Sequence, residues 1–307
     1  MINSYSNRYM GWKMDRVLRL QFTRAARAEK DGKPLSIPAV RGKQPVIVLG
    51  MHRSGTTMLS NILRQMGIYM GWLRGTDTDE SIYFQNLNRA IYRFARAAWD
   101  EPAGLAHALQ NQKVSQLFAQ TLGTITDHVH PAYLGRYRNH KSLFTLPIDW
   151  GFKDPRTVFT YPVWQQLFPE AKLIFIYRHG VDVANSLHTR NWKMLDTGAA
   201  SLRCLELMGA FGLWEEYNEA CIDILSSTDK SRTLSLCYED LLRDPQQAIH
   251  TLREFLGSEI SEEKAQGIVS GLQPARAFAY RQNDSLQEFY LQVRNRPLMQ
   301  HFAYDSL

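Results

Sequence analysis

Residues 46–63, VIVLGMHRSGTTMLSNIL, constrain the fold more than any other stretch. Pro45 to Leu49 form a short β-branched run suited to a strand buried on both faces of a parallel sheet. After the turn, Met58, Leu59, Ile62, Leu63 and Met66 recur at three- and four-residue spacing, the period of an amphipathic helix, and Gly67 suits its end. A strand that turns through glycines into a helix gathers backbone N–H groups and a helix N-terminus around one point, which makes an anion site. The outline Gly50-x-x-x-x-Gly55 is that of a P-loop, but Thr56 stands where a nucleotide triphosphatase has lysine. The cation comes earlier, as Arg53, whose planar guanidinium can grip two oxygens and does not titrate. Ser54 and Gly55 complete the turn, and Thr56 and Thr57 offer hydroxyls at the helix mouth.

The rest of the chain repeats the alternation. DWGFK (149–153) reads as a strand that runs into DPRT and a helix to about Phe168. AKLIFIYR (171–178) is a buried strand, with a helix from about Val181 to Leu187. A long helix is expected with Leu202, Leu205, Leu213, Tyr217, Ala220 and Ile224 on one face. RTLSLCYEDL (232–241) gives another strand and turn, and short helices follow. Residues 81–99 and 103–129 are helical by pattern and rich in aromatics. The expected fold is therefore α/β: a three-layer, P-loop-like parallel sheet flanked by helices, with additional helical segments.

Charge separates an N-terminal arm from the body. Residues 1–43 carry ten Lys/Arg and three Asp/Glu, so the arm holds +7 and the remainder is near −1. The expected division is a basic arm, 1–43, and an α/β domain, 44–307. The arm could be a basic amphipathic helix lying on an anionic membrane or acidic partner. Its weak apolar face favours instead a helix packed on the body with its arginines in water. No apolar run reaches the length of a membrane span, and the start lacks a secretory leader, so a cytoplasmic location is expected. Cys204, Cys221 and Cys237 have no short paired spacing and read as small hydrophobes, not a disulfide framework or zinc site.

A second anion point lies in IYRHGVDVANS, where a strand delivers Arg178 at its carboxyl end and Ser186 follows about two helical turns later. Ligands of open α/β sheets bind outside the carboxyl ends of the strands, so Arg178 belongs on the edge of the loop. Two anion points suggest a ligand with two phosphate-like groups. No acidic residue ends a strand as a magnesium site requires, and no metal is expected. His52 and His179 flank the two arginines and are expected to pack locally; His128, His130 and His140 lack metal spacing.

RSGTT (53–57) after a strand, YRHGVDVANS (177–186) and CYEDLLRDP (237–245), in that order, resemble the PAPS-dependent sulfotransferases over residues 45 to about 256. FKDPRTVFTYPVWQQLFPEAKLIFIYRHG is more similar to the tyrosylprotein-type and bacterial members than to the cytosolic aryl enzymes. The resemblance implies that Arg53, Ser54, Gly55, Thr56 and Thr57 hold a 5′-phosphosulfate. It puts Arg178 and Ser186 at the 3′-phosphate, Tyr238 near the adenine and Lys153 at the transferring sulfuryl group. The cytosolic enzymes' catalytic histidine is replaced here by Pro155 or Arg156. The implied base is a carboxylate after the P-loop helix, Glu80 or Asp79, with Glu80 preferred; a simple helix-start carboxylate is the other reading.

The implied reaction moves a sulfuryl group from PAPS to a hydroxyl, giving PAP and a sulfate ester. The acceptor would be a saccharide, a lipid-linked saccharide or a peptide tyrosine; no nucleic acid is expected. Two alternatives stay open: a small-molecule P-loop kinase using magnesium and ATP, or a non-catalytic nucleotide-binding module. Trp72, Tyr83, Phe84, Tyr92, Phe94 and Trp99 could line an acceptor pocket or belong to the core.

Overall fold

Four short apolar runs become strands: β1 (Val46–Leu49), β2 (Gly151–Lys153), β3 (Lys172–Tyr177) and β4 (Thr233–Cys237). They form a parallel sheet in the order β2-β1-β3-β4, flanked by helices, in a computed structural model that describes residues 4–75, 78–129, 134–272 and 277–306. The expected α/β fold is the observed one. Ile47, Val48 and Leu49 of β1 and Leu173 to Ile176 of β3 are fully buried, as strands covered on both faces must be. β1 and β2 pair in the register Val46 to Gly151, Ile47 to Phe152 and Val48 to Lys153.

The principal helices are α1 (Ser4–Lys30), α2 (Thr56–Gln65), α3 (Ile82–Phe94), α4 (Ala103–Gln110), α5 (Gln112–Thr126), α6 (Thr157–Leu167), α7 (Gly180–Lys193) and α8 (Leu207–Ser226). Residues 103–129 thus hold two helices where one stretch was expected. Asn111 makes the break: its side chain accepts from the N–H groups of Lys113 and Val114 and starts α5 afresh. The long helix also starts later than its apolar spacing suggests. Leu202 is exposed and Leu205 lies in a short 3-10 turn, because Glu206 takes an extended conformation (φ −110°, ψ 134°) that ends the turn before α8. In the other direction, α7 runs on to Lys193, beyond the expected Leu187.

Contacts divide the chain into two compact units, Met1–Val48 with Gly67–Leu173, and Leu49–Met66 with Ile174–Leu307. In the first, α1 packs on α3 and α5. Leu18 and Ala25 are buried, and the Phe22 ring lies 4.5 Å from Phe94 and 4.7 Å from Phe118. The core of this unit stacks Phe84 on Phe152, with Trp164 beside both. Tyr83, Phe84 and Tyr92 are therefore core residues, while Trp72 is exposed. In the second unit, α7 packs along α8, burying Val183, Leu187, Phe211 and Trp214.

Candidate functional site

In the second unit, the chain leaves β1 through a turn that only particular residues allow. Gly50 has φ +145°, and a Cβ there would meet the Ile176 carbonyl oxygen at 2.5 Å. Gly55 has φ +94°, and a Cβ there would stand 2.4 Å from the Tyr238 ring. Arg53 itself takes a left-handed φ of +71°, a conformation costly for a side chain with a Cβ. Helix α2 then begins with no side-chain cap and no acid in its first turn. Its N–H groups and the positive end of its dipole are left for an anion. The Ser54 hydroxyl is buried with no hydrogen-bond partner among the described residues.

Arg178 follows the last residue of β3, and Trp214 Nε1 donates to its carbonyl at 3.0 Å. Its guanidinium donates to the Arg53 carbonyl at 3.4 Å and to Asp182 at 3.1 Å, and lies 4.7 Å from the Tyr238 ring centroid. Arg53 Nε donates to Ser186 Oγ at 2.8 Å. The structure thus brings Arg53, Arg178, Ser186 and Tyr238 together. Arg53, Arg178 and Tyr238 border a cavity of about 420 Å³ that also takes in Thr56, Thr57, Met58, Ile62 and Ile268, with Ser186 behind Arg53. Among the described residues two arginines and no acid line it, and its volume is that of a small-molecule site. The donor set fits a phosphate-bearing nucleotide: uncapped N–H groups and guanidinium for oxygens, aliphatic and phenolic walls for a base.

Two carboxylates not singled out in the sequence hold this cradle. Asp182, almost fully buried, accepts from Arg178 and from the backbone N–H groups of Ala279 at 3.1 Å and Tyr280 at 2.9 Å. Its position on α7, four residues after Arg178, was a readable signal. Glu239 accepts from the His179 N–H at 3.0 Å, from Tyr304 Oη at 2.7 Å and from Cys237 Sγ at 3.3 Å. Nothing local in the sequence announces that role. His179 is wholly buried and stacks on Tyr280 at 4.4 Å. Burial, reinforced by Arg281 and Arg178, holds its pKa down to about 3, so it stays neutral. His52 packs edge-on toward Tyr217.

The first unit holds a separate charged cluster. Lys153, at the end of β2, is 2% exposed, donates to the Thr78 carbonyl and lies 4.0 Å from Glu80. Glu80 also accepts from Gln85 and, at 3.4 Å, from Arg156, which in turn bonds Asp154 at 2.7 Å. Glu80 precedes Ser81, the N-cap of α3, and so lies outside the first helical turn. Asp79 is paired instead with Arg74. Burial lowers the Lys153 pKa, opposed chiefly by Glu80. Behind them Asn88 uses its whole amide. It donates to Asp154 and Thr157 and accepts from Thr160 and Trp164, all within 3.0 Å. No group of three His, Cys, Asp or Glu that could hold a metal occurs among the described residues.

Comparison with known proteins gives a family and a fold. The model of the sulfotransferase family matches residues 45–262. Among solved structures, the sulfotransferase domain of the Synechococcus PCC 7002 olefin synthase has a TM-score of 0.53 at 22% identity, covering 90% of this chain and 100% of that one. The sulfotransferase domain from the curacin biosynthetic pathway has a TM-score of 0.47 at 16% identity, over 83% and 98% of the two chains. A sulfotransferase from Mycobacterium avium gives 0.47 at 18%, over 90% and 81%. At 22% identity the likeness to the olefin synthase domain is one of fold. No curated protein matches the chain in sequence.

Proposed function

The chain belongs to the sulfotransferase family, and from that premise we propose that it carries a sulfuryl group from PAPS to an acceptor hydroxyl, leaving PAP and a sulfate ester. The observation that carries this reading is the convergence of Arg53, Arg178 and Tyr238 on a cavity at an uncapped helix start, lined by no acid among the described residues, with Ser186 holding Arg53. Arg53 and the N–H groups of Ser54, Gly55, Thr56 and Thr57 bind the 5′-phosphosulfate. Arg178 and Ser186 bind the 3′-phosphate, and Tyr238 borders the base.

The chemistry follows from where charge grows. An acceptor oxygen attacks sulfur in line, and negative charge develops on the equatorial oxygens and on the bridging oxygen of the departing phosphate. Fixed cations and N–H dipoles in a dry site stabilise such charge without reorganising. Arg53, the loop N–H groups and Lys153 supply them in this proposal. The sulfuryl group carries less charge than a phosphoryl group, so these cations suffice without the magnesium that phosphoryl transfer needs. Glu80 accepts the acceptor's proton as general base. Lys153 at 4.0 Å and Arg156 at 3.4 Å hold its carboxylate in place.

The acceptor we favour is a saccharide or lipid-linked saccharide, ahead of a peptide tyrosine. The burial of Tyr83, Phe84 and Tyr92 in the core supports no aromatic clamp for a phenol among them. The test is a titration with PAP, PAPS and ATP, with and without magnesium, followed by thermal unfolding. PAP should stabilise the protein without metal and ATP should not. A preference for magnesium–ATP overturns the reading in favour of a kinase. Incubation with labelled PAPS and panels of saccharides, lipid-linked saccharides and tyrosine peptides then identifies the acceptor.

A further inference from the structure

Helix α1 has two faces of opposite character. Its apolar stripe, Leu18, Phe22 and Ala25, is used up against α3 and α5. Both of its acids also point inward or sideways into pairs. Asp15 meets Arg19 at 3.3 Å and Arg93 at 3.8 Å, and Glu29 meets Lys113 at 2.7 Å. What remains on the solvent side is basic. Lys13, Arg16, Arg19, Arg24, Arg27 and Lys30 are all exposed. Set among them are three large apolar side chains that gain nothing from water: Trp12 at 57% exposure, Val17 at 41% and Leu20 at 52%. Trp12 carries the Arg16 guanidinium 5.9 Å from its ring.

We propose that this outward face of α1 docks the enzyme on a bilayer containing anionic lipid. At 27 residues the helix is about 40 Å long, so its cations can meet several headgroups at once. Trp12, Val17 and Leu20 would sit at the boundary between headgroups and acyl chains, where an indole with an apolar body and a polar edge is favoured. The pattern distinguishes this occupant from two others. A nucleic acid would use the cations but leave the tryptophan and aliphatic side chains without a partner. A protein groove takes a helix by a continuous apolar stripe, and the stripe of α1 already faces inward. The proposal does not depend on the identity of the acceptor.

The test is cosedimentation of the whole protein with vesicles of phosphatidylcholine alone or mixed with phosphatidylglycerol, at low and high salt. The protein should pellet with the anionic vesicles only, and less at high salt. The double variant Arg16→Glu/Arg24→Glu should weaken that binding by roughly tenfold or more. Trp12→Ser/Leu20→Ser should remove the part that survives high salt. Because these residues are exposed, both variants should keep the wild-type melting temperature and its shift with PAP, which separates lost docking from lost folding. Equal binding to neutral vesicles, no binding to either, or wild-type binding by either variant overturns the proposal. So does binding of a duplex oligonucleotide in preference to the anionic vesicles.

Discussion

Arg53 and Lys153 make the sharpest claims, because each is assigned a charge that matters only as the transition state forms. Arg53→Ala and Lys153→Ala should each lower kcat by about a hundredfold or more, measured with saturating donor. Ser186→Ala should mainly raise the dissociation constant for PAP. Full activity in Lys153→Ala would remove the centre of the mechanism. Burial lowers the Lys153 pKa from its ordinary 10.5, so its charge is lost sooner than that of a solvated lysine. A kcat–pH profile should accordingly fall on an alkaline limb below pH 10.5. Asp182 acts one step removed, since it fixes Arg178 and two N–H groups of the 279–280 segment. In Asp182→Asn an amide must face one of those donors. PAP binding should weaken about tenfold, with kcat at saturation little changed; an altered melting temperature with unchanged PAP affinity would reduce Asp182 to a structural role.

Elements carry the second kind of prediction. Asn88 on α3 ties β2's Asp154 loop to α6 through four side-chain hydrogen bonds. Asn88→Ala would take a partner from Asp154, Thr157, Thr160 and the Trp164 indole in the interior, at a cost of about 3–5 kcal/mol. Urea unfolding measures it; a loss within experimental error would mean that the network relaxes freely. This network also shows what a sequence conceals. The strands were legible because runs such as VIVL and KLIFIY have no polar break, and Arg178 and Ser186 because one strand end and two helical turns fix their spacing. The start of α8 was not, since the apolar period runs unbroken through Leu202 and Leu205 while the backbone does not. Glu239 and Asn88 were not singled out, because His179, Tyr304 and Asp154 lie 60 to 66 residues away and only folding brings them near; for Asp182 the pair with Arg178 was readable, but not the N–H groups of Ala279 and Tyr280.

For the molecule as a whole, His179 sets an acid limit. Its folded pKa of about 3 lies below the unfolded 6.5, so between those values the unfolded chain binds the extra proton. Stability is then fully present above pH 6.5 and lost as pH falls toward 3, by at most about 1.4 kcal/mol per pH unit. His179→Phe keeps a ring against Tyr280 and should flatten this slope in denaturant titrations across the range. An unchanged slope would assign the acid limb to other groups. Bound PAP should add stability over the whole pH range where Arg53 and Arg178 hold it, about 2.7 kcal/mol at a hundredfold excess over its dissociation constant.

The chain passes between its two compact units at Val48/Leu49, Met66/Gly67 and Leu173/Ile174. No single cut can therefore part them. A fragment of residues 174–307 would keep Arg178, Ser186 and Tyr238 but lack residues 49–66, and with them Arg53 and the whole glycine turn. A fragment ending at 173 would carry that turn as an eighteen-residue insertion without the second unit's other chain segment. The glycine turn and its partners Arg178 and Ser186 come from both stretches of the second unit, so splitting this protein for complementation assays or separate crystallisation would have to rejoin three crossings, not one.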